Sequence, residues 1–115
     1  MSTTSWRSIS TPWGQSEHVK VVAKGIWEVS TPSHGGYLLS DARLGAMPEA
    51  LRYLNNLGKG NWFEEDCEWA LVAAAFPGEF TDDLRKAASE LLARIYGLKW
   101  DRVCAEGWES KEVAQ

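Results

Sequence analysis

The sequence predicts an α+β domain: a small antiparallel three-stranded meander packed against a helical layer. Three observations predict it. Two short β-type runs, His18–Ala23 and residues 26–31, flank Lys24-Gly25, and a third, residues 36–40, follows the Pro32-Ser33-His34-Gly35 reversal. Residues 67–76 are apolar almost all round, the pattern of a helix covered on several sides. Residues 82–96 carry Leu84, Ala87, Ala88, Leu91, Leu92, Ile95 and Tyr96 at helical spacing, between Thr81 as cap and Gly97 as terminator.

Taken in order, residues 1–17 are rich in Ser and Thr, interrupted by Pro12 and Gly14, and show no sustained period. They are expected to form an extended arm, ordered only where Trp6, Ile9 or Trp13 finds a groove. Residues 18–115 are expected to form a single domain. In the first strand Val19, Val21 and Ala23 alternate with His18, Lys20 and Val22, which gives one wet face. Lys24-Gly25 supplies a turn to the second strand. Pro32 has no N–H for a ladder, so pairing is expected to stop there. Gly35-Gly36 is expected to supply the positive φ angles of a tight reversal.

Asp41 is the expected cap of a short helical turn over residues 42–46. Pro48 suits the start of another helix reaching about Asn56, with Met47, Leu51 and Leu54 inward. Residues 55–61, with two glycines and three asparagines, read as a loop. Trp62-Phe63 then leads into Glu64-Glu65-Asp66, expected to open the buried helix, which Pro77-Gly78 ends. Beyond Leu98 the pattern fades into a short element holding Trp100 and Val103 and an acidic tail.

Composition bounds the function. A chain of 115 residues is long enough for one core, and 44% apolar with 24% charged residues is ordinary for a globular protein. A net charge of -4 argues against a phosphate-gripping surface, so direct nucleic-acid binding is disfavoured, leaving only a local patch around Arg43 and Arg52. Cys67 and Cys104 lack the paired spacing of a zinc or redox motif and read as small hydrophobes in a reducing cytoplasm. No signal-peptide pattern or run of roughly 20 apolar residues is present, so a cytoplasmic protein without a membrane span is expected. Seven tryptophans are many for this length. Trp27, Trp62 and Trp69 are expected in the core, whereas Trp6, Trp13 and Trp108 serve equally well to pin terminal segments or meet a partner.

Thr31-Pro32-Ser33-His34-Gly35-Gly36, Leu39-Ser40-Asp41-Ala42-Arg43, Met47-Pro48 and Trp62-Phe63-Glu64-Glu65-Asp66-Cys67-Glu68-Trp69-Ala70 carry a resemblance over about residues 25–80. The chain resembles a family of small uncharacterised domains encoded by proteobacterial chromosomes, plasmids and prophages. The resemblance implies a mobile-element setting, and with it a role in the contest between phage and host defence, but no chemistry.

Three constellations are candidates for a site. The first joins Ser33 and His34 to Glu64, Glu65 and Asp66: an imidazole at a glycine-supported tip can exchange protons near neutrality, and a carboxylate can orient it. Adjacent side chains on an extended tip point apart, so Ser33 and His34 make a poor nucleophile–base pair. The alternative is structural, with the acidic residues favouring the helix start and His34 tying the tip to it. The second adds His18 to His34 and those carboxylates as a metal set, although nothing in the spacing brings the histidines together. Gly58-Lys59-Gly60 lacks the frame of a phosphate loop, and no cofactor is expected. The third is a protein-binding surface of Trp62 and Phe63 beside the acidic cluster, extended by Arg43, Arg52 and Tyr53.

The sequence therefore favours a non-enzymatic intracellular protein-binding domain, with an inhibitor of a bacterial defence complex as the specific version. The alternative is a small hydrolase or transferase using His34 with an acidic helper from Glu64, Glu65 or Asp66. A homodimer through a strand edge or the tryptophans is a third arrangement.

Overall fold

A computed structural model describes residues 9–54 and 60–100. The chain opens with a small hairpin, β1 (Ser10–Thr11) paired with β2 (Gly14–Gln15), its reversal at Gly14 in a positive-φ conformation. The segment expected to be extended thus folds back on itself here, held by Thr11 Oγ1, which donates to the Gly14 carbonyl and accepts from Trp13 N–H.

The main sheet has four antiparallel strands in the order β3 (His18–Ala23), β4 (Ile26–Ser30), β5 (Gly35–Leu39) and β6 (Trp62–Glu64). The first three are the expected meander. Gly25 turns β3 into β4 at φ 83°, which needs glycine. The fourth strand corrects the sequence reading. Trp62 and Glu64 flank Phe63 with period-two alternation, and the three residues pair with Leu38, Tyr37 and Gly36. Glu64 therefore lies in a strand, Glu65, Asp66 and Cys67 lie in the turn after it, and the buried helix begins only at Trp69.

Register assigns the faces, because directly paired residues share a side of the sheet. Ile26, Leu39, Tyr37 and Phe63 point to the helical layer and are buried in the core. Trp27, Leu38 and Trp62 point to the other side. On the core side lie α1 (Asp41–Ala46), α2 (Glu49–Arg52) and α3 (Trp69–Ala75), with α4 (Asp82–Leu91) packed chiefly on α3. Ser40, not Asp41, caps α1, its hydroxyl accepting from Arg43 N–H at 3.1 Å. Six successive residues of α3, Ala70 to Ala75, are buried, because the helix is sandwiched between β5 and β6 on one side and α4 on the other. Its alanines keep those layers close.

Thr81 caps α4, and the helix then widens into a π turn over Leu92–Tyr96. Gly97, at φ 66°, closes it by donating its N–H to the Leu92 carbonyl. The loop residues 55–59, together with Trp6, Val103, Cys104 and Trp108, lie outside the described residues.

Candidate functional site

The turn that carries His34 is built by one hydroxyl. Thr31 Oγ1 donates to the His34 carbonyl at 2.8 Å and accepts from His34 N–H at 3.0 Å, while Thr31 N–H reaches the same carbonyl at 2.6 Å. This locks a four-residue reversal in which Pro32, Ser33 and His34 are exposed.

Gly35 and Gly36 serve a different purpose from the one expected. Neither has positive φ. A Cβ on Gly35 would stand 2.9 Å from the Glu65 carboxylate, and one on Gly36 would stand 2.3 Å from the Phe63 carbonyl and 2.6 Å from the Trp13 ring. The pair is flat so that Glu65 can lie over one side of the sheet and Trp13 over the other.

That geometry divides the acidic trio. Glu64, the register partner of Gly36, reaches the tip: its Oε2 is 3.8 Å from His34 Nδ1. The distance suits an ion pair with an imidazolium and is too long for a hydrogen bond. With His34 46% and Glu64 19% exposed at the side chain, the contact is weak, of order 0–1 kcal/mol. Glu65 lies on the core side of the sheet against Gly35, and Asp66 is exposed in the turn. The turn itself is anchored by backbone: Glu65 N–H donates to the Gly35 carbonyl at 2.9 Å, and the buried Glu68 carboxylate accepts from Glu64 N–H at 3.0 Å.

On the core side, beyond the reach of the helices, the sheet opens into a groove of about 370 Å³. It is lined by His18 and Lys20 of β3, Glu28 and Ser30 of β4, Tyr37 of β5, and Glu65. Burial, and then the Glu28 charge, push the Tyr37 hydroxyl up to about 12. It therefore stays protonated at neutral pH.

The outer side is apolar. Val21, Trp27, Leu38 and Trp62 form one row across all four strands, with Val21 52% exposed and the others half-buried. Trp13 of the N-terminal hairpin covers the Trp62 end, the rings meeting edge to face at 5.6 Å and 83°.

Residues 7–115 match the model of a family described as a domain of unknown function, DUF7007. The chain belongs to this family. No curated protein and no solved structure matches it. Membership agrees with the resemblance to a small uncharacterised domain family and assigns no activity.

Within this DUF7007 domain the predicted site residues fall in separate places. His34, Ser33 and Glu64 gather at the tip. Phe63 is fully buried in the core and offers no binding surface, while Trp62 is shared between Trp13 and the outer row. Arg43 sits at the opposite end of the strands, clamped by the Lys24 carbonyl at 2.8 Å, the Glu79 carboxylate at 3.0 Å and the Phe76 ring at 4.8 Å. Arg52 lies 3.9 Å from Glu49, to which Tyr53 also donates. His18 shares a side with Ser30 and Glu65, and His34 reaches Glu64 on the other, so the two histidines do not converge. Among the described residues no three His, Cys, Asp or Glu side chains gather closely enough to hold a metal ion, and no helix is long and apolar enough to cross a membrane.

Sequence reasoning missed Lys20, Glu28 and Tyr37 as groove residues and Val21 and Leu38 as outer-row residues. The turn alone could not have supplied them: counting back regularly from the Ala23–Ile26 pair would set Val21 opposite Glu28, and only a register shift between Val21 and Ala23 places Lys20 beside Glu28 and Val21 beside Trp27.

Proposed function

We propose that the chain is a protein-binding domain that works through the outer side of its sheet and the adjoining Thr31–His34 turn. The row Val21–Trp27–Leu38–Trp62 carries this reading, being a half-exposed aromatic and aliphatic strip of the kind that anchors interfaces. Glu64, two residues from Trp62 on the same side of the sheet, places negative charge at one end of the strip. An apolar strip with negative charge at one end fits a partner that sets basic residues beside an apolar patch, and nucleic-acid-gripping complexes carry such basic residues for phosphates. Together with the plasmid and prophage setting of the resemblance, this favours an inhibitor of a bacterial defence complex over a housekeeping adaptor.

The test is relief of interference in a host carrying a nucleic-acid-cleaving defence complex, followed by calorimetry with that purified complex. Val21→Glu combined with Trp27→Ser is expected to weaken binding by about thirtyfold, an ordinary hot-spot loss. Undiminished binding by this variant, at an unchanged thermal midpoint, removes the proposal. A self-associated dimer whose dissociation follows the same substitutions would replace the foreign partner with a second copy.

One observation favours a second reading, a small hydrolase or transferase: His34 Nδ1 stands 3.8 Å from Glu64. Under it His34→Ala abolishes turnover and leaves the thermal midpoint unchanged. Turnover that survives the substitution excludes it.

A further inference from the structure

The groove on the core side of the sheet is separate from the outer row, and its charges are sorted. His18 and Lys20 stand on the edge strand β3, Glu28 projects from the neighbouring strand, and Glu65 lies across β5 over Gly35. Among the described residues, no ion pair or hydrogen bond ties the side chains of His18, Lys20, Glu28 or Glu65 to one another or to anything else. Four ionisable side chains thus converge on one concavity with their polar ends unspent. Its volume of about 370 Å³ falls within the span of small-ligand pockets.

We propose that this groove binds a short peptide, two or three residues long, by its free termini: the ammonium between Glu28 and Glu65, and the carboxylate at Lys20 and His18. Charge order decides the polarity. A simple anion meets two carboxylates, and a simple cation meets Lys20. A ligand bearing both charges satisfies each wall.

Strand spacing decides the length. The midline between β4 and β5 lies about 1.5 strand spacings from β3, roughly 7 Å. Two extended residues span about 7 Å and three about 10 Å, whereas the two charges of a single amino acid are too close together to reach both walls. The ligand backbone then crosses the floor beside Tyr37, whose hydroxyl remains a donor at neutral pH. Gly35 is part of the device, because a Cβ there would displace the Glu65 carboxylate from the floor.

The experiment is an amide-resolved NMR titration of the full chain with triglycine, its N-acetyl form, its C-terminal amide, and free glycine. Triglycine is expected to shift the amides of Lys20, Glu28, Ser30, Gly36 and Glu65 at millimolar concentration. Blocking either terminus is expected to weaken binding by about tenfold, the loss of one charge-assisted contact. Glu65→Gln and Lys20→Gln, both exposed positions, are expected to do the same, whereas Trp27→Ser leaves the titration unchanged and so separates this site from the proposed protein interface. The inference is overturned if triglycine leaves those amides unmoved, if the blocked peptides bind as well as triglycine, or if glycine binds as tightly as triglycine.

Discussion

At Gly36 the chain has no room for a single carbon. The added Cβ would fall 2.3 Å from the Phe63 carbonyl, which is fixed backbone of the partner strand, and 2.6 Å from the Trp13 ring. At Gly35 the nearest obstacle is the end of Glu65, a flexible side chain that can swing into solvent, with the Val29 carbonyl next at 3.0 Å. Gly36→Ala is therefore expected to cost about 1–3 kcal/mol and Gly35→Ala less, an order that urea denaturation of the two variants checks. Equal costs would show that backbone crowding is not what demands glycine. Tyr37 makes a second residue-scale prediction. Burial and Glu28 raise its pKa from 10.0 to about 12, so the folded state holds the proton more tightly than the unfolded chain. Stability from this group is complete below about pH 10 and is lost as the pH rises through about 12. Burial and the Cys67 sulfur, 3.8 Å from its hydroxyl, shift Tyr96 in the same direction. Thermal midpoints measured from pH 9 to 12 should fall, and Tyr37→Phe should flatten the fall. A parallel decline in the variant would show that Tyr37 carries none of it.

Among the elements, α3 and α4 show what a sequence can and cannot announce. The capped, amphipathic pattern of α4 is local, and it is where the sequence placed it, from the Thr81 cap to Gly97. The Gly25 turn and the first three strands were legible for the same reason, since turn chemistry and alternation act over a few residues. β6 was not legible. Its three residues carry too short an alternation to register, and what makes them a strand is pairing with β5 across more than 20 intervening residues. Missing that strand moved the acidic trio onto a helix it does not open. It also hid the groove, because Glu65 reaches Gly35 only when β6 lies beside β5. The buried helix was recognised, but alanine-rich apolarity does not say what covers it. Here α4 does, through Ala88, which is fully buried at the helix–helix contact. Ala88→Leu preserves helix propensity and adds volume at a position with no exposed surface, so it is expected to cost about 1–3 kcal/mol in chemical denaturation. A neutral outcome would mean that the two helices have slack between them.

At the scale of the molecule, one sheet is covered on both sides with helices on only one. The core side is covered by α3 and its neighbours up to the groove, while the outer side relies on the N-terminal hairpin. That hairpin is joined to the sheet by Glu17 N–H, which donates to the Ser30 carbonyl at 2.6 Å, and is braced internally by Ser16, whose hydroxyl accepts from Ile9 N–H at 2.9 Å. Its grip on the outer side is Trp13, seated over Gly36 and edge-on to Trp62. The tryptophan thus divides the outer side into a covered end and the half-exposed strip proposed to meet a partner. Trp13→Ala removes the seat and leaves the four-stranded core complete. It is expected to cost about 2 kcal/mol, lowering the thermal midpoint by roughly 10 °C. Hydrogen exchange should show amides of residues 10–16 losing protection while those of β4 and β5 keep theirs. If protection is lost uniformly across the sheet, the hairpin is integral to the core rather than a cover laid over it. In that case the strip beyond it would be a consequence of folding rather than a surface reserved for binding.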